Sequence, residues 1–175
     1  LNPAVFPVMF VCLGYYDNNY ILSQSEGASL MGYLDAGGAL YMEGGDTWAY
    51  DTQTVAHPYF GIVPLEDGTA DCGPVNGVAG TFTEGLSFSY TGENSYMDHL
   101  GASAPAFEIF TNPADGYGHG VAHDSGSYRT LAISFEFGGL NDGSSPSTKR
   151  PLSVLSTVRF SGPRAEIVVP GSPNP

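Results

Sequence analysis

The chain has 175 residues, enough for one domain with a real core, and its 42% apolar content excludes wholesale disorder. Five basic against 18 acidic residues give a formal net charge of −13, which excludes nucleic acid and anionic membranes as natural partners, since both need a basic footprint. With 24 Gly and 13 Pro, turns and short elements are expected rather than a helical bundle.

Residues 5–13, "VFPVMFVCL", form an apolar run closed by Gly14, and Pro7 places the strand at 8–13, buried on both faces. Ser23 with Glu26 three residues on is a capping box, and Leu30, Met31 and Leu34 give a helical face over 23–36. Gly37-Gly38 ends that helix, and "ALYMEG" follows as a second buried strand. Strand, helix and strand predict a βαβ unit with parallel pairing.

Beyond Asp46 the pattern changes. "TWAYDTQTVAHPYFGIVP" is an aromatic loop and "LEDGTADCGPVNGVAGTFTEG" a turn-rich insertion. "LSFSYTG", "AFEIFTN", "GVAHDSG" and "RTLAISFEFGG" read as strands. Residues 147–160 are expected as a closing helix with Pro151 near its start. Domain organisation is read as one unit over 1–165, with 166–175 a linker or tail. Leu1 in place of Met leads us to expect a mature product or a piece of a longer protein. Scarce lysine (Lys149 alone) beside plentiful Asn, Ser, Thr and Tyr points to an extracellular or cell-envelope location. No apolar run approaches the roughly 18 residues that span a bilayer, so no membrane insertion is expected.

The stretch "LSQSEGASLMGYLDAGGALYMEGGDTW", with weaker support from "YRTLAISFEFGGL", resembles the class I glutamine amidotransferase-like superfamily. The resemblance implies an α/β, flavodoxin-like or amidotransferase-like fold: an open, mostly parallel sheet with flanking helices and β-rich insertions. It also implies a cysteine nucleophile in the turn after "ALYMEG", where this chain has Glu43-Gly44-Gly45, and a His-x-Glu late in the chain, where "ISFEFGG" has Glu136 but no histidine. Such a domain, with no triad, is expected to be non-catalytic, serving interaction or assembly with other domains or subunits of a surface protein.

The alternative is a hydrolase with an acidic site formed by Glu43, Asp46 and Glu136, metal-assisted or acting on carbohydrate. Glu43 and Asp46, at the end of a parallel strand, face the crevice where open α/β sheets bind ligands, and are the candidates for a Ca²⁺ or Mg²⁺ site; otherwise no cofactor is expected. In the opposing structural reading, amides of residues 44–48 hold the Glu43 carboxylate and Asp46 caps a turn. Trp48 is a candidate sugar-stacking residue and Arg129 a candidate anion anchor or a salt-bridge partner of Asp124. His119 and His123 share a strand face roughly 13 Å apart, too far for one ion. His57 and His99 have no identifiable partners. Cys12 is expected to be buried and inert; pairing of Cys12 with Cys72 stays open. Gly-x-Ser-x-Gly, a phosphate loop and a dinucleotide fingerprint are all absent from the sequence.

Overall fold

The computed structural model describes residues 1–149 and the backbone of two further short strands at 159–161 and 164–166. Near the N-terminus the sequence works as its local signals dictate. Ser23 Oγ accepts from the Glu26 amide at 3.3 Å, and Glu26 Oε2 accepts from the Ser23 amide at 2.8 Å. This capping box starts helix α1, Gln24–Asp35. Gly37, at φ +91°, turns the chain back where a side chain would strain the backbone. Strands β1 (Val8–Cys12) and β2 (Ala39–Glu43) then pair in parallel, from Val8 opposite Ala39 to Cys12 opposite Glu43. The expected βαβ unit is therefore present.

The remaining strands are β3 (Ile62–Glu66), β4 (Val75–Gly77), β5 (Ser87–Tyr90), β6 (His99–Ala102), β7 (Phe107–Thr111), β8 (Gly118–Asp124), β9 (Arg129–Ile133) and β10 (Leu140–Asn141). With β1 and β2 they form a ten-stranded sheet in the order β1-β2-β9-β8-β7-β4-β5-β10, and β6 pairs with both β3 and β8. Strands β11 (Arg159–Ser161) and β12 (Arg164–Glu166) form a separate antiparallel pair.

This architecture corrects the expected fold. Among the described residues only the β1–β2 and β2–β9 ladders are parallel, and the other ladders are antiparallel. The result is a curled, mixed half-barrel rather than a flavodoxin-like or amidotransferase-like open sheet with flanking helices. Loop length supplies the reason. A parallel return needs a crossover of about a dozen residues or more. The connections 112–117 and 125–128 are far shorter, so β7, β8 and β9 must turn back on one another.

Side chains alternate between two apolar clusters, one on each face of the sheet. Leu40, Met42, Val121 and Ala132 join Leu30, Tyr33 and Leu34 of α1, with Trp48 and Phe60. Ala122, Leu131 and Ile133 point the other way, to Phe88, Ile109, Phe110 and Phe135. Strand β1 is the edge of this sheet, so Phe10 and Cys12 are exposed rather than buried on both faces as expected. Residues 150–158 of the expected closing helix, and 167–175 of the expected tail, lie outside the described residues; 159–161 are strand.

Candidate functional site

The carboxyl ends of β1, β2 and β9 meet at one rim of the sheet, and Glu43 is the last residue of β2 there. The residue is 7% exposed. Tyr41 Oη donates to Glu43 Oε2 at 2.5 Å, the Phe137 amide donates to the same oxygen at 3.3 Å, and the Cys12 thiol is a further partner. Burial pushes the Glu43 carboxyl above its ordinary range, against these donors, and Glu136 adds to the rise. Glu136, half-buried just beyond β9, accepts from the Glu93 amide at 3.0 Å. Tyr15 Oη is buried without a hydrogen-bond partner, and its ionisation is opposed by burial and then by Glu43, Tyr41, Tyr90 and Glu136. Two carboxyl groups and three phenols thus share one rim.

Asp46 belongs to a second acidic group. Asp98, fully buried, accepts from the Trp48 and Ala49 amides through Oδ2 at 2.7 and 2.8 Å. Its Oδ1 and Asp46 Oδ2 are buried with no partner. Burial, then the charges of Asp51 and Asp67, push Asp46 up to about 6. Burial raises Asp98 to about 7, with Asp46 and Asp67 contributing. The amides at 48 and 49 are thus answered by Asp98, fifty residues downstream, and not by Glu43. Glu43 and Glu136 are brought together; Asp46 faces other acids.

The other candidates fall elsewhere. Trp48 is 1% exposed, donates through Nε1 to the Ile133 carbonyl at 3.0 Å, and packs edge-on against Phe60, so its faces serve the core. Arg129 pairs with Ala39 at the opposite end of β9 from Ile133, roughly 13 Å of strand from the level of Glu43. It lies opposite Asp124 in the ladder, with no ion pair to it among the described residues. His57 is buried, with Nδ1 accepting from the Thr54 amide at 2.8 Å. His119 and His123 have separate partners: Ser134 Oγ lies 3.0 Å from His119 Nδ1, and the Tyr59 carbonyl 2.8 Å from His123 Nδ1. Cys12 and Cys72 are both free. Cys12 is exposed, contrary to expectation, yet partial desolvation and then Glu43 raise its thiol to about 11, which keeps it protonated.

No family model and no curated protein matches the sequence. Among solved structures, the chain is similar to the exo-β-1,4-mannosidase Op5Man5 from Opitutaceae bacterium strain TAV5, with TM-score 0.55 and 13% identity over 78% of this chain and 22% of that one. It is also similar to Gan42B, a GH42 β-galactosidase, with TM-score 0.53 and 17% identity over 77% of this chain and 19% of that one. The chain thus spans about a fifth of the length of these proteins. The resemblance to the class I glutamine amidotransferase-like superfamily is overturned: at the level of the whole fold, the likeness is to glycosidases. The amidotransferase-like assembly role loses its support with it.

Proposed function

We propose that the chain is part of a hydrolase acting on carbohydrate, and that Glu43 and Glu136 form its acidic pair. The observation that carries this reading is the rim itself: a buried carboxyl whose desolvation favours the protonated form, beside a second carboxyl open to solvent on one side. Glycoside hydrolysis needs one carboxylic acid to protonate the leaving oxygen and a second carboxylate to act on the other face of the sugar. Glu43 is the donor in this scheme. The Tyr41 hydroxyl fixes one of its oxygens, and burial shifts the group toward its protonated form. Glu136 is the partner, positioned by the Glu93 amide. The fold likeness to a mannosidase and a β-galactosidase supports the substrate class.

The test is a panel of 4-nitrophenyl glycosides, β-mannoside and β-galactoside included, offered to the protein that carries this chain. Release of nitrophenol is expected from at least one substrate. Glu43→Gln and Glu136→Gln should each lower it by roughly 10²–10⁴-fold. A silent panel, or full activity in both variants, would remove the reading.

A further inference from the structure

A third polar cluster lies where β6 meets β8, away from the Glu43 rim. One ligand atom from each of His99, Asp115 and His119 lies within 4.8 Å of the other two. His119 Nε2 is 3.4 Å from Asp115 Oδ2. His99 Nε2 is 3.8 Å from the same oxygen and 3.3 Å from Asp71 Oδ2. A tetrahedral ion with ligand bonds of about 2.0–2.2 Å holds its ligand atoms roughly 3.3–3.6 Å apart. These spacings fall in or close to that range.

The cluster is also prepared behind its ligand atoms. Glu66 Oε1 sits 2.9 Å from His99 Nδ1, and Ser134 Oγ 3.0 Å from His119 Nδ1. Such outer partners fix the ring orientation and turn each Nε2 toward Asp115, with which His119 Nε2 shares a 3.4 Å hydrogen bond that an ion would replace, while His99 Nε2 has none. Asn112 Nδ2 donates to Asp115 Oδ2 and the Tyr117 amide to Asp115 Oδ1, both at 2.7 Å, so this carboxylate is held as well. Tyr117 stacks on the His99 ring at 4.1 Å.

His99 itself supplies an independent sign of a missing ligand. The residue is 1% exposed, and its Nε2 is buried with no hydrogen bond; Asp71 is near but out of line. A buried ring nitrogen left this way is costly unless something accepts it. Space is kept beside it, because a Cβ on Gly68 would stand only 3.0 Å from that nitrogen.

We propose that His99, His119 and Asp115, with Asp71 at the rim, bind a divalent transition-metal ion of the zinc class. Two imidazoles with carboxylates suit zinc and its neighbours, whereas calcium and magnesium take oxygen ligands. The Asp71 side chain, 28% exposed, marks the open side of the site. This inference is independent of the glycosidase reading, since its readout is metal binding and not hydrolysis.

The experiment titrates the metal-stripped full chain with Co²⁺, followed by visible absorption, and with Zn²⁺, followed by calorimetry and thermal melts. One equivalent of Co²⁺ with the bands of a four- or five-coordinate site is expected, together with a rise in melting temperature on adding Zn²⁺. His119→Gln and Asp115→Asn should each weaken Zn²⁺ by roughly 100-fold or more, and Glu66→Gln by roughly 10–100-fold; His123→Gln should bind as the parent does. Circular dichroism checks each fold. If His119→Gln does not fold, the parent titration together with Glu66→Gln decides. Absence of binding by the parent, or parent-like affinity in every folded variant among His119→Gln, Asp115→Asn and Glu66→Gln, overturns the proposal.

Discussion

At Asp46 and Asp98, burial leaves two carboxyl groups with one oxygen each that no donor in the described structure answers. Both bind protons more tightly when folded, at about 6 and about 7 against an ordinary 3.8. From about pH 4 to pH 7 the folded chain therefore holds protons that the unfolded chain has released, and stability falls as pH rises through that window. Each tenfold change in proton affinity is worth about 1.4 kcal/mol. Coupling between the two acids keeps the total below their sum, and we expect the melting temperature to drop by roughly 10 °C or more across the window. Asp98→Asn keeps an acceptor for the Trp48 and Ala49 amides and removes the charge. It should flatten the dependence and melt no lower than the parent at pH 8; a parent-like slope in this variant would contradict the account. At Glu43, Tyr41→Phe removes the 2.5 Å hydrogen bond and should cost roughly 1–3 kcal/mol in denaturant unfolding. Glu43, Asp46 and Glu136 were visible in the sequence as acids at strand ends. Which of them meet was not, because the partners Asp98, Tyr15 and Phe137 arrive through contacts that local pattern does not encode.

Helix α1 and its flanking strands form the part of the fold most legible from sequence, since a capping box and apolar runs act over a few residues. Ser23→Ala removes the acceptor for the Glu26 amide and should cost about 1 kcal/mol, read as a fall of about 2–4 °C in melting temperature. The antiparallel two-thirds of the sheet was legible as strands but not as a pairing scheme. Strand β8 reads "GHGVAHD", with glycines where an alternating apolar pattern would otherwise declare its faces. Gly118 explains one of them. It lies opposite Leu100, and a Cβ there would come within 2.2 Å of the Leu100 carbonyl oxygen. Backbone on both sides must move to admit even Ala. Gly118→Ala should therefore destabilise the chain by roughly 1–3 kcal/mol and separate His99 from His119, abolishing the Zn²⁺-induced rise in melting temperature. Retention of that rise would show that the β6–β8 junction does not position the two histidines. His99, placed by sequence in a partnerless loop, becomes a site residue only through this junction.

Over the whole molecule, the parallel strands β1, β2 and β9 end at the acidic rim, and the antiparallel strands curl away from them to carry the histidine cluster. The amidotransferase-like expectation went astray at this scale: one βαβ unit is shared by many folds and does not fix how the next eight strands pair. In the proposed function, Glu43 donates a proton to a sugar leaving group. The most direct measurement compares Glu43→Gln with the parent, in the protein that carries this chain, on two substrates of the same sugar. One is a 2,4-dinitrophenyl glycoside, whose leaving group departs without protonation; the other is an unactivated disaccharide. A loss of roughly 10²–10⁴-fold in kcat/KM is expected on the disaccharide and little loss on the dinitrophenyl glycoside. Equal losses on both substrates, or none on either, would contradict this role of Glu43.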